Sequence, residues 1–191
     1  MGRSANSRRA SQTRDRDCRE LRQQVSGPGA APPSQTWRIF LQNHINSMVS
    51  VDFFTLPTVR FQVLYVFIVL AHERRRIVHV GVTLHPTAEW TVQQLREAFP
   101  WDSAPRYMLR DRDRVFGREF VEQVRAMGIK QVLSAPRSPW QRAYVERVIE
   151  TIRRECLDHV IIFGERHLRR WLRVFIEHYN CASYYPTYLC C

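Results

Sequence analysis

The segment from Phe61 to Leu70 is almost continuously apolar. This pattern is typical of a central strand that is buried on both faces, because helices cover the sheet on each side. Val49–Phe54 is a strand-like run that precedes it and is closed by Pro57, and Ile77–Leu84 follows after a charged turn. The chain therefore predicts a sheet built around one buried strand, which forms a hairpin-like pair with the strand after it.

Helix and strand patterns alternate in the rest of the chain. Thr87 is a residue type that caps helix N-termini, and Gly128 is a residue type that follows helix C-termini. The predicted elements are a helical lead-in at 37–45, strands at 49–54, 61–70 and 77–84, a helix at 87–99, a strand at 106–110, a helix at 120–127, a strand at 129–133, and helices at 141–158 and 165–179. This order predicts an α/β fold with five strands.

Composition separates the globular part of the chain from its ends. Residues 1–36 are rich in Arg, Ser, Gln, Gly and Pro and show no sustained apolar period, which is typical of a disordered segment. We predict a disordered basic N-terminal arm over 1–36, one folded domain over 37–180 and a divergent C-terminal tail over 181–191.

The charge of the chain points to a polyanionic partner. The formal net charge is +11 and the basic residues are spread along the chain, which favours nucleic acid over a merely solvated basic surface. Of the 29 basic residues only Lys130 is a lysine. Arginine makes bidentate contacts with phosphate, although a coding bias would produce the same skew.

Several other classes are excluded by the sequence. No apolar run approaches the roughly 20 residues that span a bilayer, and the N-terminus lacks the apolar core of a signal peptide. The five cysteines show no CxxC spacing, so neither a disulfide framework nor a zinc site is predicted. We expect a soluble, cytoplasmic protein that has no membrane partner and no small-molecule substrate.

Three acidic residues carry the strongest functional signal. Asp52 interrupts an apolar strand, Asp111 ends the strand at 106–110, and Glu146 lies in a predicted helix. A carboxylate in a core strand is costly unless it has a function or a partner. Three carboxylates are sufficient protein ligands for a pair of Mg²⁺ or Mn²⁺ ions that activate an attacking oxygen and stabilise a leaving one. The acids therefore predict two-metal phosphoryl transfer.

The motifs around these acids resemble the catalytic core of the DDE recombinase superfamily, which includes retroviral integrases and insertion-sequence transposases. Asp52 stands before a long apolar strand, Asp111 is followed by an aromatic residue at Phe116, and Glu146 follows Pro139 and a polar turn. Thirty-four residues lie between the second and third acids. The resemblance covers about 37–180 and is closest to bacterial integrase-type transposases.

The resemblance implies a ribonuclease-H-like fold, with a five-stranded mixed sheet flanked by helices. It also implies metal-dependent cleavage and strand transfer of DNA, with transposon ends and target DNA as partners and a homo-oligomer as the active form. Catalysis and metal binding fall on Asp52, Asp111 and Glu146. Arg142 and Arg147, together with Arg153, become candidate contacts to the DNA backbone, although surface charges that merely solvate the helix explain them equally well. A bacterial, nucleoid-associated location is implied.

Three alternatives stay open at the level of sequence. Asp113 competes with Asp111 for the place of the second acid. The segment after Asn180 departs from the family pattern, as a frameshift or truncation would make it depart, so an inactive remnant that only binds nucleic acid is the second hypothesis. A ribonuclease-H-like nuclease that acts on RNA–DNA hybrids is the third.

Overall fold

A mixed sheet of five strands forms the centre of the fold. The computed structural model describes residues 35–100, 103–113, 115–135 and 138–184. The strands are β1 (Met48–Pro57), β2 (Val63–Ala71), β3 (Arg76–Thr83), β4 (Tyr107–Arg110) and β5 (Lys130–Leu133). Their order across the sheet is β3-β2-β1-β4-β5. The β1–β2 and β2–β3 pairs are antiparallel, whereas β1–β4 and β4–β5 are parallel.

Helices cover both faces of this sheet. They are α1 (Gln35–His44), α2 (Ala88–Ala98), α3 (Arg118–Ala126), α4 (Ala143–Glu155) and α5 (Glu165–Tyr184), with short 3-10 turns at Ile45–Ser47, Glu73–Arg75, Pro139–Gln141 and Leu157–His159. The buried residues of α4 and α5 share one core with one face of the sheet. Those of α2 and α3 share a second core with the other face. The architecture confirms the predicted five-stranded mixed sheet flanked by helices.

The period of two along β1 decides which core each of its side chains enters. Val49 and Val51 join the core under α2 and α3, whereas Phe54 joins the core under α4 and α5. Alternate residues of a strand point to opposite faces. Ser50 and Asp52 therefore share the face of Phe54, and the acid in β1 is directed towards α4.

Local signals in the sequence set several boundaries. The Thr87 side chain caps α2 by accepting a hydrogen bond from the Trp90 N–H at 3.1 Å. Gly128 follows α3 with a φ of +73°, a backbone conformation that glycine adopts without a steric penalty. Both helix boundaries agree with the sequence predictions.

Two helices differ from their predicted lengths. The predicted 141–158 helix is divided, because regular α-helix is confined to Ala143–Glu155 and 3-10 turns flank it. The last helix continues to Tyr184, beyond the predicted end at 179. Asn180 contributes to this extension, since its side-chain amide exchanges two hydrogen bonds of 2.9 Å with the backbone of Ile77 in β3.

The sequence predictions for the two ends of the chain concern mostly residues outside the described ones. The arm predicted over 1–36 lies outside the described residues up to position 34, and the tail predicted over 181–191 lies outside them from position 185. Within the part of the chain that the structure describes, no helix combines the length and apolar character needed to cross a bilayer.

Candidate active site

Asp52 lies in the middle of β1 with only 7% of its side chain exposed. Its Oδ1 accepts a hydrogen bond from the Phe53 N–H at 2.8 Å, and its Oδ2 lies 2.5 Å from Arg142 Nη2. Burial raises the pKa of the Asp52 carboxyl, and the lowering caused by Arg142 offsets only part of this effect. β1 therefore holds a buried carboxylate, Asp52, whose negative charge is balanced mainly by the Arg142 guanidinium.

Asp111 follows the last residue of β4 and is brought to Asp52 by the sheet. The parallel pairing of β1 and β4 places Ser50 opposite Leu109. Continuing this register by two residues places Asp52 opposite Asp111. The Asp111 side chain is 25% exposed, and its Oδ2 accepts a hydrogen bond from Arg142 Nη1 at 3.1 Å. Two acids that are distant in sequence therefore share one cationic partner.

The two candidates for the second acid have different surroundings. The Asp113 N–H donates to Asp111 Oδ1 at 3.1 Å, and Asp113 Oδ1 accepts from the Val115 N–H at 3.2 Å. Asp113 is exposed and organises the loop after β4. Asp111 is the one of the pair that contacts Arg142, which favours it over Asp113 as the second acid.

Glu146 lies in the first turn of α4, and its side chain is 44% exposed. Val145, Val148, Ile149 and Ile152 pack this helix into the core, and this packing fixes the side of the helix that faces the sheet. Glu146 Oε1 lies 3.9 Å from Arg142 Nε. A carboxylate in the first turn is also favoured by the helix dipole.

Arg142 stands at the centre of the three acids. Sequence analysis assigned it to the DNA backbone, but the structure places its guanidinium between Asp52, Asp111 and Glu146, with 22% of its side chain exposed. Burial opposes the charged form, but the three carboxylates together outweigh burial and raise the pKa of Arg142. The three carboxylates leave an excess of negative charge around this one cation.

The carboxylate oxygens of this cluster are suitable ligands for a divalent cation, although they are arranged around the Arg142 guanidinium. Mg²⁺ and Mn²⁺ prefer oxygen ligands of the kind that the three carboxylates supply. Among the residues that the structure describes, no group of three or more His, Cys, Asp or Glu side chains is arranged to hold a metal ion. Arg142 lies where the carboxylates converge, so they would hold a divalent cation after rearrangement.

The other predicted DNA contacts lie on the same helix as Glu146. Arg147 is exposed and lines a groove together with Glu146 and Arg75. Arg153 donates from Nη2 to the Thr55 carbonyl at 3.1 Å, so it is anchored against β1. Both side chains are exposed, and Arg147 is the one that lines the groove beside Glu146.

Arg75 is a residue beside the acids that the sequence analysis did not assign to the site. Its guanidinium lies 5.2 Å from the centre of the Tyr144 ring, within reach of a cation–π contact. Arg75 also has a φ of +52°, which is uncommon for a residue with a side chain. The signal in the sequence was the charged turn at 73–76, which was interpreted only as a connection between strands.

The cysteine and histidine side chains in the described part of the chain form no group that could hold a metal ion. Cys156 is buried and Cys181 is exposed. His167 instead contacts aromatic neighbours, with its ring 5.4 Å from Phe163 and 6.3 Å from Trp171.

His72 is a buried histidine close to the site. It is 2% exposed, its Nε2 lies 2.5 Å from Ser50 Oγ, and its ring centre is 5.1 Å from that of Tyr144. Burial lowers the pKa of His72 from 6.5 to about 4. The ring is therefore neutral in the folded chain at neutral pH, and protonation in place would leave a buried charge.

This histidine should make the fold sensitive to mild acid. Between pH 6.5 and 4 the unfolded chain binds the His72 proton and the folded chain does not, so stability is complete above this window and falls as the pH decreases. We expect this group to remove about 2 kcal/mol between pH 7.5 and pH 5. Urea unfolding of wild type and His72→Gln at both pH values measures it, and an equal loss in the two proteins would contradict the assignment.

Comparison with known proteins finds one family whose model matches part of the chain. Residues 127–182 match the family model described as the integrase core domain. The matched segment includes Glu146 but neither of the two aspartates. No curated protein matches the chain.

Two solved structures share its fold. One is the HTLV-2 integrase catalytic core domain in complex with magnesium, in a trimeric form, at 14% identity and a TM-score of 0.50, covering 72% of this chain and 82% of that chain. The other is a chain of the simian T-cell lymphotropic virus intasome in complex with PP2A regulatory subunit B56 gamma, at 14% identity and a TM-score of 0.52. That match covers 56% of this chain but 38% of the intasome chain.

These findings confirm the predicted fold. The five-stranded mixed sheet with helices on both faces is the ribonuclease-H-like fold of integrase cores, as predicted. An origin in a bacterial insertion sequence stays a prediction. Membership of the integrase and DDE transposase superfamily stays a prediction, because the family model matches residues 127–182 and the solved structures share only the fold.

Proposed function

We propose that the chain is a catalytic core that cuts and joins DNA by metal-dependent phosphoryl transfer. The observation that carries this proposal is the convergence of Asp52, Asp111 and Glu146 from two strands and a helix onto one cation. Acids that only solvate a protein surface would not need to converge on one guanidinium. A cluster with three carboxylates and one guanidinium retains an excess of negative charge, which favours cation binding.

The proposed roles follow from the positions of the acids. Asp52 and Asp111 would be the ligands supplied by the sheet, and Glu146 the ligand supplied by the helix. Two divalent cations bound by these carboxylates would activate the attacking oxygen and stabilise the leaving oxygen of a phosphodiester. Because Asp52 is only 7% exposed on its side chain, β1 would hold its carboxylate rigidly while the more exposed Glu146 adjusts.

DNA is the proposed substrate because the chain as a whole is strongly basic, with a net charge of +11. Two arginines, Arg147 and Arg75, also line a groove beside the acids, together with Glu146 and Glu150. Guanidinium groups bind backbone phosphates in a bidentate manner. They would hold the strand beside the carboxylates without reading its sequence. Transposon ends, target DNA and a homo-oligomeric active form remain part of the proposal.

Cleavage assays with matched substrates test this function. The purified chain is incubated with supercoiled plasmid, a DNA duplex and an RNA–DNA hybrid of the same sequence, with Mg²⁺, with Mn²⁺ or with EDTA. We expect nicking of plasmid and duplex that requires the metal, together with joined products of higher mass. Faster cleavage of the hybrid's RNA strand would favour the ribonuclease-H-like nuclease. Absence of metal-dependent nicking would favour a chain that only binds nucleic acid.

A further inference from the structure

The guanidinium of Arg142 contacts every acid of the candidate active site. Nη2 lies 2.5 Å from Asp52 Oδ2, Nη1 lies 3.1 Å from Asp111 Oδ2, and Nε lies 3.9 Å from Glu146 Oε1. Two nitrogens of the group donate hydrogen bonds to two different carboxylates, whereas the buried Nε has no hydrogen-bond partner among the described residues and only an ion-pair distance to Glu146. An arginine on the surface of a DNA-binding helix would instead extend its guanidinium towards solvent.

This arrangement supplies the positive charge that the cluster needs when no metal is bound. The Asp52 carboxylate is too deeply buried to be hydrated freely, since its side chain is 7% exposed. Asp111 is also close enough for its charge to raise the pKa of Asp52. Without a cation between them these groups would repel each other, and a buried carboxylate would lose its compensation.

A guanidinium and a metal ion cannot both lie between the Oδ2 atoms of Asp52 and Asp111. The Oδ2 atoms of Asp52 and Asp111 are both engaged by Arg142. A divalent cation held jointly by these acids would need those oxygens and would be repelled by the positive group among them. Binding of the metal therefore requires the Arg142 side chain to leave.

We propose that Arg142 is an internal counter-cation that closes the active site in the metal-free chain and competes with divalent cations for the three carboxylates. The inference rests on the proposed function for the presence of a metal site. The Arg142 side chain approaches the acids from the position immediately before the first residue of α4. Withdrawal of Arg142 is thus a movement of one long side chain and leaves β1 and β4 in place.

Metal binding by a charge-neutralising variant tests the proposal without any catalytic readout. We expect Arg142→Gln to bind Mn²⁺ roughly tenfold or more tightly than wild type, because one positive charge has left the cluster. Isothermal titration calorimetry and the Mn²⁺ electron paramagnetic resonance signal both measure the dissociation constant. Arg154→Gln is the matched control, since it removes the same charge from α4, the helix that follows Arg142, at a side chain that is 78% exposed.

A double variant shows where the additional Mn²⁺ affinity arises. Adding Asp52→Asn to Arg142→Gln should remove most of the increase in Mn²⁺ affinity if the ion binds at the three acids. Equal affinity in wild type and Arg142→Gln, or weaker binding in the variant, overturns the inference and leaves the metal site of the proposed function intact. Absence of Mn²⁺ binding in all variants overturns both.

A conservative variant covers the case in which Arg142→Gln fails to fold. Arg142→Lys keeps one positive charge but has no fork that reaches several acids at once. We expect it to bind Mn²⁺ a few-fold more tightly than wild type, and to gain more thermal stability than wild type on addition of Mn²⁺. Identical Mn²⁺ affinity and identical thermal shifts in the two folded proteins would overturn the inference.

Discussion

Replacing Asp52 with asparagine is expected to abolish DNA nicking while the protein stays folded. The substitution removes a charged ligand from the proposed metal site, but the asparagine carbonyl can still accept a hydrogen bond from Arg142, which lies 2.5 Å from the native carboxylate. Losing about 4 kcal/mol of charge stabilisation in the transition state lowers the rate roughly a thousandfold. Asp111→Asn and Glu146→Gln should show losses of the same order.

The matched control for these variants is Asp113→Asn. Asp113 is exposed and hydrogen-bonded within the loop after β4, so its substitution should leave the nicking rate of a supercoiled plasmid within a few-fold of wild type. All variants are prepared in parallel, so that a contaminating nuclease would appear equally in each. Activity that survives in Asp111→Asn but disappears in Asp113→Asn would transfer the second acid to Asp113.

Replacing Phe67 with alanine is expected to have the largest effect on stability. Phe67 is fully buried in β2, and its ring centre lies 5.0 Å from that of Phe53 and 6.4 Å from that of Trp90. Removing a buried aromatic ring leaves a cavity and costs about 3–5 kcal/mol. A domain with a typical total stability of about 5–15 kcal/mol would lose a large part of it. Urea unfolding at a fixed pH measures the difference.

Phe61→Ala provides the same chemical change in the opposite environment. The Phe61 side chain is 96% exposed in the turn between β1 and β2, so this variant should unfold within about 0.5 kcal/mol of wild type. Because β2 pairs with the strand that carries Asp52, the stability of this core also maintains the position of the first acid. A similar free energy of unfolding for the two variants would contradict the central position of Phe67.

Much of the fold could be predicted because its signals are local. The apolar run at 61–70 predicted a central strand buried on both faces, and the structure places it at Val63–Ala71 as an interior strand between β1 and β3, whereas β1 is the middle strand. Thr87 predicted the start of α2, and Gly128 predicted the end of α3. Such signals depend on residues within one turn or one strand, so they are readable without knowledge of distant partners.

The candidate site could be predicted only in part. The acids were recognisable as unusual residues in a strand, at a strand end and on a helix. The environment of Arg142 was not recognisable, because its partners Asp111 and Asp52 are 31 and 90 positions away in the chain. Its place beside Glu146 on an amphipathic helix is equally compatible with solvent, phosphate or a carboxylate partner.

The sequence by itself determined the order of helices and strands and the buried strand β2, and it singled out Asp52, Asp111 and Glu146 as candidate site residues. Only the tertiary structure decided that Arg142 lies among those acids and that His72 is buried. The physical reason is that strand registers are non-local. The parallel register of β1 and β4 brings Asp111 to Asp52, and the packing of α4 on the same sheet face brings Arg142 to both.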